Sequence, residues 1–265
     1  MPDSSSLSAG AERRWRRAVL IVAVLVPAVP IIVALVLTSG TPKTSKVSAA
    51  LSPVTRPVEP PALPRPRATG ALVAAVLRPT TMRTSPGGPA LALQSTRTGF
   101  DSPVVLLVRR TVPGWLAVVS PLAGNGKLGW IPVSAVSLSR VHWEIEVSIS
   151  RREVTVLEDG RALKHFTIAV GAPSAPTPTG VFAVTDRLAT HDPTGPYGCC
   201  ILALSAEAPH AIQDWSGGNR IAIHSTPETW TIGLPVSHGC MRLTMAEGQW
   251  LIDHVPLGTP TIIRA

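Results

Sequence analysis

The sequence IAIHSTPETWTIGLPVSHGCMRL, residues 221–243, carries the strongest chemical signal in the chain. Cys240 directly follows a glycine and lies two residues after His238. A thiol nucleophile needs a base, a group that orients the base, and donors for the developing oxyanion. His224 ends a strand-like segment sixteen residues before Cys240, and the prolines and glycine between them favour a fixed loop that returns the chain. The spacing makes Cys240 a candidate nucleophile and His224 its candidate base.

The same loop offers the supporting groups. Ser225 is placed to orient His224 through either its carbonyl or its hydroxyl. Gly239 allows a sharp turn that would aim the amides of Gly239 and Cys240 at a bound carbonyl. Two other interpretations stay open. Cys240 is also a candidate for a small buried hydrophobic residue, and it forms a candidate zinc site with His224 and His238, although a spacing of two residues suits one metal poorly.

The full pattern resembles the signature of the L,D-transpeptidase family, which has a YkuD-type catalytic domain. That signature is a histidine, a spacer, and Ser/Thr-His-Gly-Cys followed two residues later by Arg or Asn. The resemblance extends upstream through IEVSISRREVTVLEDGRALKHFTIAVGAPSAPTPTGVFAV, so that it covers roughly residues 142–265. The residues of this chain that match the signature are His224, Ser237, His238, Gly239, Cys240 and Arg242.

The resemblance implies a reaction. Cys240 would attack the carbonyl between the L-centre of the third residue and the terminal D-Ala of a peptidoglycan tetrapeptide stem, while His224 would move the proton. The amine of a neighbouring stem would resolve the thioester and form a 3→3 cross-link. The resemblance implies no metal and no organic cofactor, and it predicts carbapenem-type β-lactams as inhibitors. The alternatives are an L,D-carboxypeptidase, in which water resolves the thioester, and a non-catalytic wall-binding protein.

The resemblance also implies roles for further residues. His238 and Gly239 join the catalytic set, and Arg242 is expected to hold a stem carboxylate by a bidentate contact. The other expected substrate contacts are Ser225, Ser237 and Tyr197. Cys199 and Cys200 are not part of the signature. Because adjacent cysteines rarely form a disulfide with each other, we interpret this pair as small strand residues.

Residues 140–265 are predicted to form a β-rich catalytic domain with one main helix. Residues 142–149 alternate with a period of two, and the apolar face comprises Trp143, Ile145, Val147 and Ile149. Asp159-Gly160 predicts a type I′ hairpin turn. Thr244 and Glu247 form a capping box that begins the helix after Cys240. The residues expected to line the buried stripe of that helix are Trp250, Leu251, His254 and Val255.

Residues 69–139 are predicted to form a small SH3-like β-barrel. Five strand-like segments are separated by turn signals at about ten-residue spacing, without a helical period. The segments are ALVAAVL, PALALQS, VVLLVRR, WLAVVSP and LGWIPVSAV. The pattern around GWLAV and GWIPVSAV resembles the bacterial SH3-like domains that often precede wall-modifying enzymes.

The N-terminal 68 residues predict an anchor and a tether. Residues 1–17 are a basic tail with four arginines before residues 18–38, an apolar transmembrane helix about as long as a bilayer core is thick. The arginines predict a single-pass protein of the bacterial cell membrane with a cytoplasmic N-terminus and an extracytoplasmic catalytic domain. Residues 39–68 are a proline-rich, disordered linker. A cleaved signal peptide and a buried core helix are the alternatives for the apolar segment.

The basic charge is unevenly distributed along the chain. The formal net charge is +8, of which residues 1–68 hold +6 and the remaining residues hold +2. Most of the positive charge therefore belongs to the predicted anchor and linker, where it would meet anionic lipid and wall polymers. The predicted folded part is nearly neutral, so we expect membrane and peptidoglycan as partners and no nucleic acid.

Overall fold

The computed structural model describes residues 70–208 and 219–265. These residues form a mainly β structure with a seven-stranded, an eight-stranded and a two-stranded sheet, and with one α-helix in the described part of the chain. The predicted basic tail, transmembrane helix and linker lie outside the described residues. Among the residues that the structure describes, no helix has the length and apolar character that a membrane crossing requires.

The first sheet is antiparallel throughout, in the order β3-β2-β6-β5-β4-β1-β7, and curves into a partly closed, barrel-like form. Its strands are β1 (Ala71–Val76), β2 (Thr80–Arg83), β3 (Ala90–Gln94), β4 (Val105–Val112), β5 (Trp115–Val119), β6 (Gly129–Pro132) and β7 (Val136–Val141). All five predicted segments form strands. The short β2 was missed, and a 3-10 turn at Val133–Ala135 divides the fifth segment into β6 and β7. The SH3-like assignment stays a prediction.

The second sheet contains eight strands in the order β10-β9-β8-β17-β12-β13-β14-β16. Two of its pairs, β8 with β17 and β14 with β16, are parallel. The strands from β8 onward, including the separate parallel pair β11 and β15, are β8 (Trp143–Ser148), β9 (Glu153–Glu158), β10 (Arg161–Thr167), β11 (Val170–Gly171), β12 (Gly180–Ala189), β13 (Cys200–Glu207), β14 (Arg220–Ser225), β15 (Pro235–Ser237), β16 (Met241–Leu243) and β17 (Pro260–Arg264).

Local sequence explains the first hairpin of this sheet. In β8, Ile145 and Val147 are buried in the core, which fits the period of two, because alternate side chains of a strand face the same side. Asp159 and Gly160 join β9 to β10 with φ values of 49° and 75°. Two successive positive φ values are what a type I′ turn requires, so this prediction is confirmed.

The helix α1 (Met245–His254) follows β16 and begins at the predicted capping box. The Thr244 side chain accepts from the Glu247 amide, and the Glu247 carboxylate accepts from the Thr244 amide. The expectation that His254 lines the buried stripe was wrong, because His254 is exposed and stacks on the Trp250 ring with centroids 4.6 Å apart. Gly248 and Leu251 are the buried residues of α1, three positions apart, so the stripe is narrower than predicted.

The two large sheets pack against each other through a shared cluster. Leu107 and Val119 of the first sheet contact Ala183 of the second. Polar contacts flank this cluster: the Asn125 side chain bonds both the amide and the carbonyl of Glu207, at 2.9 and 2.6 Å. A cavity of about 200 Å³ also lies between the two sheets and is lined by residues of both. The boundary predicted near residue 140 therefore separates two sheets that share buried surface.

Candidate active site

The edge of the second sheet brings the predicted base and nucleophile to one face. β14 and β16 pair in parallel with His224 opposite Arg242, and Cys240 immediately precedes β16. Cys240 packs in a cluster with Ala222, which lies two residues before His224 in β14. Because residues two apart in a strand share a face, Cys240 and His224 lie over the same side of β14. The loop between them makes the return that the spacing predicted.

His224 is held by the backbone of its neighbour. It is 2% exposed, and its Nδ1 lies 2.7 Å from the Ser225 carbonyl, to which an Nδ1–H donates. That bond leaves Nε2 of the neutral ring as the basic atom. Of the two predicted ways for Ser225 to orient the base, the structure shows the carbonyl. The Ser225 side chain is fully buried, and its predicted contact with substrate stays a prediction.

Burial favours the neutral forms of both His224 and Cys240 at pH 7. Desolvation lowers the pKa of His224 to about 4, with the Ser225 hydrogen bond opposing the shift and the Arg242 charge adding to it. Desolvation also raises the pKa of the Cys240 thiol to about 11, although a hydrogen bond from the Ala222 backbone and the Arg242 charge both act to lower it. A neutral imidazole on the same face of β14 as a neutral thiol is the protonation state that the predicted role of His224 as a base requires.

Gly239 occupies a backbone conformation that side chains rarely adopt. Its φ is 118°, and an added Cβ would lie 2.9 Å from the Cδ1 atom of Ile221. Its amide donates to the Ser237 hydroxyl at 3.1 Å, and that hydroxyl donates to the Cys240 carbonyl at 2.5 Å. Of the two amides predicted for the oxyanion, that of Gly239 is therefore engaged within the loop, which leaves the amide of Cys240. Ser237 is buried and braces this turn.

Arg242 and His238 occupy different environments. Arg242 Nη1 bonds the exposed Glu228 carboxylate at 3.0 Å, so a protein carboxylate already occupies part of the guanidinium that was predicted to hold substrate. The Nε atom of Arg242 is buried without a hydrogen-bond partner in the described structure. His238 is exposed, whereas His224 and Cys240 are buried. Within residues 70–208 and 219–265, no three ligand-type side chains form a group that could hold a metal ion.

Tyr197 reaches the base from the loop before β13. Its ring meets the His224 ring edge-to-face with centroids 4.9 Å apart, and it packs against the cluster that contains Cys240. The structure therefore places Tyr197 beside His224. Whether the ring touches substrate stays a prediction.

One residue of the site was missed by sequence reasoning. Thr177, in the proline-rich loop between β11 and β12, is 3% exposed. Its Oγ1 accepts from the Gly171 amide at 2.9 Å and donates to the Gly239 carbonyl at 2.9 Å. Thr177 and Gly239 are separated by 62 positions. Nothing in the local TPTG sequence indicates that they meet.

The prediction that Cys199 and Cys200 do not form a disulfide with each other was wrong, although Cys200 is a buried strand residue, as predicted, at the start of β13. Cys199 and Cys200 are joined by a disulfide, and Cys240 is the free cysteine. Gly198, with a φ of 56°, turns the chain immediately before the pair, a conformation that sequence does not reveal. Cys199 Sγ lies 3.3 Å from the Ser225 hydroxyl, so the disulfide abuts the residue that orients His224.

We expect one reactive thiol per chain in the unfolded, unreduced protein, because Cys240 is the free cysteine. After reduction of the disulfide, we expect three. Thiol titration in denaturant checks this count. A Cys240→Ala variant is the matched control and should show no thiol before reduction. Three thiols in the unreduced wild-type chain would contradict the disulfide.

Sequence comparisons identify relatives of this part of the chain. Residues 142–263 match the YkuD family, described as the L,D-transpeptidase catalytic domain. YkuD of Bacillus subtilis (strain 168), an L,D-transpeptidase by name, is 32% identical over 124 residues, which are 47% of this chain and 67% of that protein. L,D-transpeptidase 1 of Mycobacterium tuberculosis (strain H37Rv) is 31% identical over 126 residues, 43% of this chain and 47% of that protein. The chain thus spans about half to two thirds of the length of these relatives.

Solved structures give weaker similarities. An L,D-transpeptidase from Mycobacterium smegmatis superposes with a TM-score of 0.39 at 22% identity, covering 61% of this chain and 90% of that chain. LD transpeptidase LdtMt1 in complex with imipenem gives a TM-score of 0.37 at 19% identity, covering 57% and 90%. The assignment to a family rests on the sequence matches, because TM-scores below 0.5 do not establish a shared fold.

Proposed function

This chain belongs to the L,D-transpeptidase family, and from that premise we propose that it forms 3→3 cross-links between peptidoglycan stem peptides through a thioester on Cys240. The observation that carries the proposal is the pairing of a free, buried thiol with a neutral histidine on one face of β14. His224 has its Nδ1 committed to the Ser225 carbonyl, which leaves Nε2 for proton transfer. This arrangement suits nucleophilic acyl transfer without a cofactor.

In the first half-reaction, Cys240 Sγ attacks the carbonyl carbon between the third stem residue and the terminal D-Ala. A C–S bond forms while the thiol proton passes to His224 Nε2, and the carbonyl oxygen becomes an oxyanion that accepts from the Cys240 amide. Collapse of this intermediate breaks the C–N bond. The nitrogen of D-Ala takes the proton from His224, and D-Ala leaves as a free amino acid.

In the second half-reaction, the side-chain amine of a neighbouring stem attacks the thioester. The new C–N bond forms, the C–S bond breaks, and the amine proton returns through His224 to Cys240. The bond to D-Ala that is broken and the cross-link that is formed are both amides, so the reaction needs no ATP. Water in place of the amine would give an L,D-carboxypeptidase, and the two outcomes differ only at this step.

We also propose where the enzyme acts. Residues 18–38 would anchor the chain in the bacterial cell membrane, and residues 39–68 would let the folded part reach the wall. The seven-stranded sheet, if SH3-like, would hold wall polymer beside the catalytic sheet. These proposals rest on sequence composition and on the substrate that the proposed reaction requires.

The test is mass spectrometry of the full-length chain, purified in detergent and incubated with tetrapeptide-stem muropeptide, beside the Cys240→Ala variant. A cross-linked dimer that is lighter than two monomers by one D-Ala, and absent with the variant, is the expected result. A tripeptide product without dimer would replace the proposal with carboxypeptidase activity. Unchanged muropeptide would overturn both enzyme readings and favour a wall-binding role.

Carbapenem-type β-lactams offer a second probe of the same thiol. A structural neighbour, LD transpeptidase LdtMt1, has been solved in complex with imipenem. We propose that imipenem acylates Cys240 here by the same attack on a carbonyl, with opening of the strained lactam ring in place of D-Ala release. Intact-mass spectrometry would detect the adduct on the wild-type chain and none on Cys240→Ala.

A further inference from the structure

We propose that Thr177 is a positioning residue that fixes the peptide unit between Gly239 and Cys240, and thereby aims the Cys240 amide at the oxyanion. This inference rests on the proposed function. It concerns a residue outside the segment 221–243 in which the chemical signature lies.

The peptide unit between Gly239 and Cys240 connects Thr177 to the proposed oxyanion donor. In a trans peptide, the carbonyl of one residue and the amide of the next lie in a single plane and point in opposite directions. The Gly239 carbonyl points at Thr177 Oγ1, 2.9 Å away. The Cys240 amide therefore points away from Thr177, and its direction is set by the bond that Thr177 makes on the other side of the plane.

The hydrogen-bond direction at Thr177 is determined by its two partners. The Gly171 amide can only donate, so Oγ1 accepts that bond. The Gly239 carbonyl can only accept, so Oγ1 gives its single proton there. A hydroxyl with both partners fixed and 3% exposure has little freedom to rotate, and no bulk water competes for its proton.

Close packing against Gly171 holds the backbone of Thr177 in place. A Cβ added at Gly171 would meet the Thr177 nitrogen at 2.5 Å and the Ala175 carbonyl oxygen at 2.4 Å. The backbone of residues 175–177 therefore lies directly against Gly171. The same segment covers Gly239, where a Cβ would be 3.7 Å from the Pro176 carbonyl oxygen. The loop before β12 and the catalytic turn form one packed unit.

The Gly239 peptides need this external support because glycine imposes little on its own conformation. Ser237 accepts from the Gly239 amide and fixes the peptide before Gly239. Thr177 binds the Gly239 carbonyl and fixes the peptide after it. Without the second bond, the plane that contains the Cys240 amide is free to rotate. Catalysis by an oxyanion donor depends on that donor being in place before charge develops.

The experiment compares two reactions of Cys240 that differ in whether an oxyanion forms. Acylation by imipenem passes through a tetrahedral oxyanion, whereas alkylation by iodoacetamide displaces iodide directly and forms none. Cys240 is the free thiol, so both probes report the same sulfur. Both rates are measured by intact-mass spectrometry on the full-length wild-type chain, on Thr177→Val and on Thr177→Ser. Valine keeps the shape of threonine without the hydroxyl, and serine keeps the hydroxyl.

We expect Thr177→Val to slow acylation at least about ten-fold while alkylation stays within about two-fold of wild type, since loss of an oxyanion donor itself costs about 10²–10³-fold. Thr177→Ser should restore most of the acylation rate. Acylation of Thr177→Val at the wild-type rate would overturn the inference. A parallel fall in the acylation and alkylation rates would also overturn it, because that result indicates a structural role. Acylation of Thr177→Ser as slow as that of Thr177→Val would overturn it as well. A wild-type chain that imipenem does not acylate would remove the proposed function, and the inference with it.

Discussion

His224→Asn is expected to slow acylation of Cys240 by about 10³-fold, within the range attributed to a positioned general base. Asparagine keeps a side-chain N–H near the position of Nδ1, so the bond to the Ser225 carbonyl can be retained. It removes the Nε2 lone pair, and with it the acceptor of the thiol proton. Because the pKa of Cys240 is raised to about 11, little thiolate exists at pH 7 to react unaided.

The rate of imipenem acylation, followed by intact mass, measures this effect. The matched control is His254→Asn, because the Nδ1 of His254 also bonds a backbone carbonyl, that of Trp250, but on the exposed side of α1. The control should acylate at the wild-type rate. A His224→Asn rate within a few-fold of wild type would contradict the assignment of His224 as the base.

The pH dependence gives a second readout of the same substitution. The folded-state pKa of His224 is lowered to about 4 from a usual 6.5, so the base is neutral above that pH and the wild-type acylation rate should fall as pH drops through about 4. Between pH 6.5 and 4 the unfolded chain binds the proton and the folded chain does not. Folding stability is therefore lost as pH falls through this window, by up to about 3 kcal/mol, and His224→Asn should lack that loss.

Gly239→Ala is expected to lower the free energy of unfolding by about 2 kcal/mol and to slow acylation by about 10²-fold. The φ of 118° is strained for any residue with a Cβ, and the new methyl would press on Ile221 at 2.9 Å. Relief of that strain would rotate the peptide unit that carries the Cys240 amide. Because that amide is the proposed oxyanion donor, the acylation rate should fall together with the free energy of unfolding.

Denaturant unfolding and imipenem acylation are the two measurements. Gly160→Ala is the control for backbone strain outside the candidate active site. Gly160 also has a positive φ, of 75°, but has open space around it in the β9–β10 turn. It should cost roughly 1 kcal/mol of stability and leave acylation unchanged. Equal acylation rates for Gly239→Ala and Gly160→Ala would show that the turn at Gly239 matters for folding alone.

Several features followed from the sequence because they depend on residues close together in the chain. The β9–β10 turn required two positive φ values, which Asp159-Gly160 provides. The start of α1 required a capping box, which Thr244 and Glu247 provide. Apolar residues at every second position placed one face of β8 in the core. The signature around Cys240 is similarly local. It identified the family, and it predicts Cys240 as the nucleophile.

Other features depended on which distant segments became neighbours. The hydroxyl of Thr177 meets the Gly239 carbonyl across 62 positions, and Glu228 takes up part of the Arg242 guanidinium. Nor did sequence reveal that Gly239 gives its amide to Ser237 or that the stripe of α1 excludes His254.

The sequence by itself determined five strand segments of the first sheet, the β9–β10 turn, the single described helix and the family, and it selected Cys240 and His224 as the candidate reacting pair. The tertiary structure alone decided the environment of that pair, from the burial that neutralises both groups to the disulfide that abuts Ser225. The physical reason is that turn and capping rules act over a few residues. Desolvation and hydrogen-bond partners at a site, in contrast, are set by every segment that packs around it.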